Sequence, residues 1–136
     1  PGEGKQSIRN GMARNVGFEI PPHDNDYVVT SKTRFLRNTT LLQLFPHMHY
    51  RGKAFKFEAQ YPDGTSEVLL DDLAEPKHLP RGTTMVCTAH YDNSADNLFN
   101  PDPSETVGFG LQSFEEMMVG YYTAVRTDED LTKEKD

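Results

Sequence analysis

Long hydrophobic runs are absent from this 136-residue chain. Its longest apolar stretches, such as Leu41–Leu42 and Leu44–Phe45, are interrupted by polar residues. None approaches the roughly 18 residues that a membrane-spanning helix needs. The residue types AVILMFWYC make up 35% of the chain and glycine adds 10 residues, which is low for a globular protein but enough to fold. The sequence therefore excludes membrane insertion and predicts one domain with one core.

Positive charge and cysteine are also scarce. Fourteen Lys and Arg stand against 21 Asp and Glu, and the net charge of −7 has the wrong sign for binding nucleic acid. The single cysteine, Cys87, excludes an intramolecular disulfide and leaves the redox compartment open. The chain begins at Pro1 without an initiator Met or an apolar leader, so we expect a processed end or an excised fragment.

The motifs of several enzyme classes are missing. The chain has neither a Gly-x-Ser-x-Gly elbow for a serine nucleophile nor a glycine-rich phosphate loop after a strand. Cys87 lies in the strand-like segment Thr84–Thr88, where we expect a buried and unreactive thiol. These absences argue against hydrolase and kinase activity.

The hydrophobic pattern that is present has a period of two residues. Apolar and polar residues alternate from Phe55 to Tyr61, a turn follows at Pro62–Thr65, and Ser66–Leu70 returns as the second strand of a hairpin. No long window has a helical period, and turn residues recur at short intervals, as in sandwiches and jelly rolls. The sequence therefore predicts an all-β fold, with further strands at Tyr27–Phe35, Thr39–Tyr50, Thr83–Tyr91, Val107–Gly110 and Met117–Arg126.

Both ends of the chain have little hydrophobic pattern. Residues 1–15 are polar, and residues 127–136 are almost all charged. We expect residues 1–15 to be a linker or a frayed N-terminus, residues 16–126 to be the folded domain, and residues 127–136 to be a disordered charged tail. The segment Asp92–Glu105 is rich in Asn, Asp, Ser and Pro and is predicted as a long loop.

The segment Phe45–Lys53 contains the strongest candidate for a metal site. His47 and His49 are two residues apart, and on a strand such residues project from the same face about 6.6–6.8 Å apart at Cα. This spacing allows two imidazoles to converge on one metal ion. The alternative, more common for an isolated His-x-His motif, is that both are surface or hydrogen-bonded residues.

A methionine pair near the C-terminus favours copper as that metal. Met117 and Met118 follow two glutamates at the start of the last predicted strand, where alternation would point one inward and one outward. Thioether selects copper, particularly Cu(I), whereas imidazole accepts either oxidation state. Two His and one Met would therefore suit a redox-cycling copper better than zinc. Either methionine could instead fill a gap in the core, as Met usually does.

The other three histidines are weaker candidates. His23 and His78 lie in predicted turns and are expected to be solvated. His90 ends a predicted strand, where it could be a third ligand or a donor to a ligand, although a capping or structural role is the more common one.

Together these motifs resemble the C-terminal domain of the copper type II, ascorbate-dependent monooxygenases. This is the family of peptidylglycine α-hydroxylating monooxygenase and dopamine β-monooxygenase, and the details are most similar to its bacterial relatives. The resemblance covers about residues 16–126, and its most specific part is the His-x-His motif combined with the downstream Glu-Glu-Met. The matching segments are Pro46–Lys53, Pro62–Gly64, Pro80–Thr83, His90–Ser94, Asn100–Pro103 and Glu115–Met118.

The resemblance implies an antiparallel jelly-roll β-sandwich that carries one mononuclear copper. His47 and His49 match the family's His-x-His ligands and Met117 matches its methionine ligand, so these three are the predicted metal ligands and catalytic residues. In the family this copper binds O2 and hydroxylates a substrate C–H bond, with ascorbate or another reductant as electron donor. A second copper, bound by three histidines in a preceding domain, supplies the other electron.

The partners implied are O2, a small-molecule or peptide substrate and that upstream domain, in an extracellular or periplasmic location. The chain departs from the family pattern because it contains no such domain and no residue that matches known substrate contacts. Met118 stands where vertebrate members have a cysteine that pairs with the one matching Cys87, and Leu70–Ala74 is shorter than the aromatic-rich segment of bacterial relatives. The alternatives are a copper-binding or copper-delivery module without oxygenase activity, or a sandwich that has lost its metal.

Overall fold

The computed structural model describes residues 5–69 and 73–133, which fold into β-strands without a helix. The all-β prediction is confirmed for these residues, and none of their segments is a helix long and apolar enough to cross a bilayer. The strands are β1 (Arg9–Asn15), β2 (Glu19–Ile20), β3 (Tyr27–Arg34), β4 (Thr39–His47), β5 (Gly52–Gln60), β6 (Ser66–Leu69), β7 (Lys77–Leu79), β8 (Thr84–Tyr91), β9 (Val107–Gly108) and β10 (Met118–Arg126).

The strands form two four-stranded sheets and one short ribbon. The first sheet has the order β1-β10-β4-β7, the second has the order β3-β8-β5-β6, and β2 pairs with β9. All of these pairs are antiparallel. The apolar faces of the two larger sheets pack together as a β-sandwich, and its buried core draws on both sheets.

Strand β8 shows why the two-residue period predicts this architecture. Met85, Cys87, Ala89 and Tyr91 are fully buried, and the residues between them are only partly buried. Because successive side chains of a strand point to opposite faces, this alternation directs one face of the sheet into the core. The predicted hairpin is also confirmed: β5 pairs with β6, and the turn between them contains Gly64 at a φ of 87°.

Residues 9–15 are not part of a frayed end, contrary to the expectation for residues 1–15. They form β1, which pairs with β10 along its whole length. The inward-facing residues of β1 include Gly11 and the buried Ala13, and a Cβ atom on Gly11 would lie 2.2 Å from Cζ of Tyr122. Because Tyr122 fills the space above the strand, β1 needs only small residues there and has little hydrophobic signal.

Residues 127–133, which the sequence predicts as part of a disordered charged tail, form hydrogen bonds with the rest of the chain. The guanidinium of Arg9 donates two hydrogen bonds of 2.8 and 2.7 Å to the carboxylate of Glu129. The N–H of Thr127 donates to the carbonyl of Asn38, and the N–H of Leu131 donates to that of Lys5. These contacts are polar and involve little apolar burial.

Other boundaries differ from the predictions by a few residues. The predicted strand Thr39–Tyr50 ends at His47, and the one at Val107–Gly110 is limited to Val107–Gly108. The sequence did not predict β2 and β7, which are only two and three residues long. Residues 70–72 lie outside the described residues. They include Leu70 of the predicted hairpin and most of the Leu70–Ala74 segment.

The two sheets approach closely at Gly120 of β10, which gives the first prediction. A Cβ atom there would lie 2.5 Å from Sγ of Cys87 and 2.9 Å from Cε1 of Phe57. Because core atoms would have to move, we expect Gly120→Ala to lower the free energy of unfolding by about 1–3 kcal/mol, measured by urea denaturation. The control Gly17→Ala, with 3.8 Å to its nearest neighbour, should change it by less than about 0.5 kcal/mol. Equal effects would contradict the close approach of the sheets.

The contact between Arg9 and Glu129 predicts a dependence of stability on pH. Hydrogen bonds from Arg9 and from the N–H of Ser7 lower the pKa of Glu129 to about 2 from its ordinary value of 4.5. A lowered pKa stabilises the fold above the ordinary value, and this stabilisation is lost as the pH falls through the folded-state pKa. We therefore expect Glu129→Gln to flatten the decrease in melting temperature between pH 4.5 and 2.

The matched control for this prediction is Glu19→Gln. Glu19 is exposed on β2 and forms no salt bridge with another described residue. Its variant should keep the acid dependence of the unchanged protein. The same slope in the protein and in Glu129→Gln would show that the Arg9 contact does not stabilise the fold.

Candidate metal centre

The two histidines of the His-x-His motif lie at the end of β4 and in the turn that follows. His47 is the last residue of β4 and pairs with Val119 of β10. His49 lies beyond the strand, where its carbonyl accepts a hydrogen bond of 3.1 Å from the N–H of Gly52. This turn directs the chain into β5, which is why the strand ends before His49.

The imidazole rings of His47 and His49 nevertheless lie close together. Their centroids are 5.2 Å apart and the rings are inclined at 87°, and both residues are half-buried. With one nitrogen of each ring about 2 Å from a shared ion, this separation is compatible with a ligand angle of about 110°, the tetrahedral value. The spacing of the rings therefore fits two ligands of one metal ion.

The backbone before β10 determines which nitrogen of His49 is free. Nδ1 of His49 lies 3.1 Å from the carbonyl oxygen of Glu115, and a carbonyl can only accept a hydrogen bond. In the uncharged ring, Nδ1 therefore carries the proton and Nε2 has the lone pair. A hydrogen bond from the second ring nitrogen to a backbone carbonyl is the usual support of a metal-binding histidine.

His47 also has the protonation state that metal binding requires. Partial burial, with a smaller contribution from neighbouring His49, lowers the pKa of His47 below its ordinary value of 6.5. At neutral pH the ring is therefore uncharged, and only an uncharged imidazole has a lone pair for a metal ion. The centroid of the His47 ring also lies 6.2 Å from that of the Tyr121 ring.

Met117 comes immediately before β10, at the same end of the sandwich as the two histidines. Val119 pairs with His47, and Met117 lies between Val119 and Glu115, whose carbonyl contacts the ring of His49. The carbonyl of Met117 accepts a hydrogen bond from the hydroxyl of Tyr91. Met117 is half-buried, whereas Met118 is fully buried in the core. The prediction that one methionine of the pair points inward is therefore confirmed, and Met118 is the one.

A buried ion pair holds the two halves of this site together. One carboxylate oxygen of Glu116 accepts the N–H of His49 at 2.8 Å, and the other accepts the N–H of Arg51 at 2.9 Å. The guanidinium of Arg51 lies 3.8 Å from the same carboxylate, and the two side chains are 1% and 0% exposed. Glu116 thus links the segment before β10 to the turn at residues 49–52, which we call the histidine turn.

Burial and hydrogen bonding act in opposite directions on this pair. Burial raises the pKa of Glu116, and the N–H groups of Arg51 and His49 oppose the shift by favouring the carboxylate. Burial lowers the pKa of Arg51, and Glu116 opposes that shift. With two N–H donors and a guanidinium facing it, the carboxylate stays ionised as the partner of Arg51.

Asn93 extends the buried network into the long loop. Its side-chain oxygen accepts a hydrogen bond of 3.0 Å from Nε of Arg51, and its amide donates to the carbonyls of Pro21 and Glu105.

The prediction of a loop at Asp92–Glu105 is confirmed. The sequence pattern did not indicate a role for Arg51 or Asn93, and Glu116 was identified only as part of a motif. A charged residue beside a candidate ligand was the signal that could have directed attention to Arg51.

The other polar candidates lie elsewhere. His90 is on the outward face of β8, where its Nδ1 is 2.8 Å from Oδ1 of Asp26, so it is neither a third ligand nor a donor to one. His23 is exposed in a turn, as predicted. His78 is in β7 rather than in a turn, with Nδ1 2.9 Å from Oγ1 of Thr40. Cys87 is buried, as predicted, and burial raises its pKa to about 11.

The donor set of this candidate centre fits copper. Within residues 5–69 and 73–133, no group of three or more His, Cys, Asp or Glu side chains is arranged to hold a metal ion. The candidate set instead has two imidazoles and one thioether, which favours copper over zinc or the oxygen-binding cations. In the uncharged ring of His49, the contact between Nδ1 and the carbonyl of Glu115 leaves Nε2 for such an ion.

Comparison with known proteins adds no family assignment. No protein-family model matches the chain, and no curated protein matches it significantly.

The role of Glu116 can be tested with Glu116→Gln. A glutamine amide cannot accept hydrogen bonds at both of its ends, and the change leaves Arg51 without a buried counter-charge. We expect the free energy of unfolding to fall by about 2–4 kcal/mol, as measured by urea denaturation.

Glu115→Gln is the matched control, because Glu115 contacts His49 through its backbone carbonyl. This variant should change the stability by less than about 0.5 kcal/mol. It should also keep the Nδ1–H tautomer of His49, observed by nitrogen-15 NMR of the imidazole. A loss of stability in Glu115→Gln as large as in Glu116→Gln would contradict the special position of Glu116.

Proposed function

We propose that the chain is the mononuclear-copper, O2-binding domain of an ascorbate-dependent monooxygenase that hydroxylates a C–H bond. The proposal includes the finer fold, a jelly roll, and membership of the copper type II monooxygenase family. It also includes an extracellular or periplasmic location and a second copper domain as partner. The support comes from the motifs of the sequence and from the contacts around His47, His49 and Met117.

One observation carries the proposal: the contact between the ring of His49 and the backbone of Glu115. It joins the His-x-His motif to the segment that ends in Met117, although these segments are 66 residues apart in the chain. The same contact sets the tautomer of His49.

In this proposal His47 and His49 hold the ion and Met117 is the weaker third ligand. When bound, copper supplies one-electron chemistry, because imidazole and thioether together support both Cu(I) and Cu(II). The carbonyl of Glu115 keeps the ring of His49 in place, and the carboxylate of Glu116 holds the backbone of the histidine turn. Both contacts orient the ligands before the ion arrives, which reduces the cost of binding it.

A copper-binding or copper-delivery module without oxygenase activity is the second candidate. The exposure of the site favours it, because both histidines and Met117 are only half-buried. The cavity beside Arg51, Phe114 and Glu115 is not lined by His47, His49 or Met117. Ligands at an open surface allow a second protein to reach the ion.

Copper content tests the metal site itself. The chain should bind close to one copper, and His47→Ala combined with His49→Ala should abolish this binding, as measured by metal analysis after dialysis. His90→Ala, on the outward face of the other sheet, is the control and should bind as the unchanged chain does. Unchanged stoichiometry in the double variant would refute the site.

The methionine has a separate test. Met117→Ile should weaken Cu(I) by about tenfold or more and leave Cu(II) nearly unaffected, because the thioether prefers the reduced ion. Met48→Ile is the control, since Met48 lies between the two histidines in sequence but packs against Gly52. Affinities would be measured by competition with a Cu(I) chelator. Equal Cu(I) affinity in Met117→Ile and the unchanged chain would remove Met117 from the ligand set.

Oxygen consumption separates the two candidate functions. O2 uptake with ascorbate would be measured on the copper-loaded chain, alone and together with a copper domain of the three-histidine type. The monooxygenase proposal expects uptake that rises in the presence of that domain and disappears in the His47, His49 double variant. Tight Cu(I) retention without O2 uptake in either mixture would favour copper delivery.

A further inference from the structure

Arginine is concentrated at the end of the sandwich opposite the candidate metal centre. His47 is at the last position of β4 and Thr39 is at the first, so the two ends of that strand are about 26 Å apart. Two cavities lie beside the Thr39 end and share Leu36, Arg37 and Arg126 as lining residues. Five of the seven arginines of the chain line them: Arg9, Arg34, Arg37, Arg81 and Arg126.

The fold brings these arginines together from four segments of the chain. Arg9 begins β1, Arg34 ends β3 and Arg126 ends β10, while Arg37 and Arg81 lie in turns. Two hydrogen bonds of 2.9 and 2.8 Å join these turns, from the N–H of Phe35 to Thr83 and from the N–H of Gly82 to Phe35. The turn that carries Arg37 is therefore fastened to the one that carries Arg81.

The two cavities, here called the arginine pocket, differ in their walls. The first has a volume of about 330 Å³ and combines four arginines with an apolar wall that includes Phe35, Leu36 and Tyr122. The second has a volume of about 600 Å³ and is polar, with Arg37, Arg81 and Arg126 facing Asp128 and Glu129. Leu36, on the rim of both, has 72% of its surface exposed.

The carboxylates in the second cavity already have partners. Glu129 accepts the two hydrogen bonds from Arg9, and Asp128 accepts one of 2.7 Å from the side chain of Asn38. Among the described residues, the salt bridges of the chain do not include Arg34, Arg37, Arg81 or Arg126. Five arginines and two carboxylates therefore line the two cavities, which leaves positive charge in excess there on a chain whose net charge is −7.

We propose that the arginine pocket binds an organic phosphate monoester. The planar guanidinium matches the oxygens of a phosphate with two parallel hydrogen bonds, and a dianion offsets the repulsion between neighbouring arginines. The apolar wall of the first cavity would receive the organic part of the ligand and cover exposed surface of Leu36. This site is independent of the proposed copper function, because it uses neither the histidines nor Met117.

Calorimetric titration with phenyl phosphate, inorganic phosphate and phenol tests the ligand class. At low ionic strength, phenyl phosphate should bind in a saturable manner, about tenfold more tightly than inorganic phosphate because the ring is buried against the apolar wall. Phenol, which lacks the charge, should not saturate. Equal binding of the two phosphates, or no binding of phenyl phosphate, would overturn the proposal.

Two double variants with the same change in charge test the location. Arg37→Gln with Arg126→Gln removes two residues that line both cavities and should weaken phenyl phosphate by about 100-fold. Arg14→Gln with Lys32→Gln removes two exposed charges outside the pocket and should leave the affinity within about twofold. Equal weakening by both pairs would indicate attraction by overall charge and would overturn the site.

A measurement on the unchanged chain keeps the proposal testable if the first double variant does not fold. Amide signals of Leu36, Arg37, Val125 and Arg126 should shift in NMR spectra as phenyl phosphate is added, and those of His47 and His49 should not. Shifts confined to other parts of the chain would overturn the assignment of the ligand to this pocket.

Discussion

The buried contact between Arg51 and Glu116 connects three segments that lie far apart in the chain. Each carboxylate oxygen of Glu116 holds one backbone N–H of the histidine turn, and Arg51 reaches the long loop through Asn93. Two charges without access to water are costly unless every donor and acceptor is used. Here the described side chains leave no buried polar atom without a partner. The network therefore favours one arrangement of the turn and disfavours the alternatives.

Strands β4 and β10 are the centre of the first sheet, and both proposed sites depend on their pairing. The pairing of His47 with Val119 lies at the metal-centre end of these two strands. The pairing of Thr39 with Arg126 lies at the end beside the arginine pocket. Between them the register shifts by one residue at Thr123 and Ala124. A bulge of this kind increases the local twist and redirects the side chains beyond it, which changes how the last residues of β10 meet the arginine pocket.

The sequence predicts those features that repeat locally and misses those that depend on distant partners. Alternation made β5 and β8 recognisable, and the two histidines were identified because they are neighbours in the chain. Strand β1 was missed because Tyr122 supplies the bulk that its own residues lack. The partnership of Arg51 with Glu116 joins positions 65 residues apart, and no pattern within either segment indicates that two charged side chains will be buried together.

The position of Cys87 has a consequence for the chemical durability of the chain. Its sulfur lies between the two sheets beneath Gly120, and its raised pKa keeps it as the thiol. Oxidants attack the thiolate, and the first product, a sulfenic acid, needs access to solvent or to a second thiol. Since Cys87 is the only cysteine, the folded chain has no reactive sulfhydryl at its surface. Peroxide would thus not join two copies through a disulfide while the two sheets remain packed.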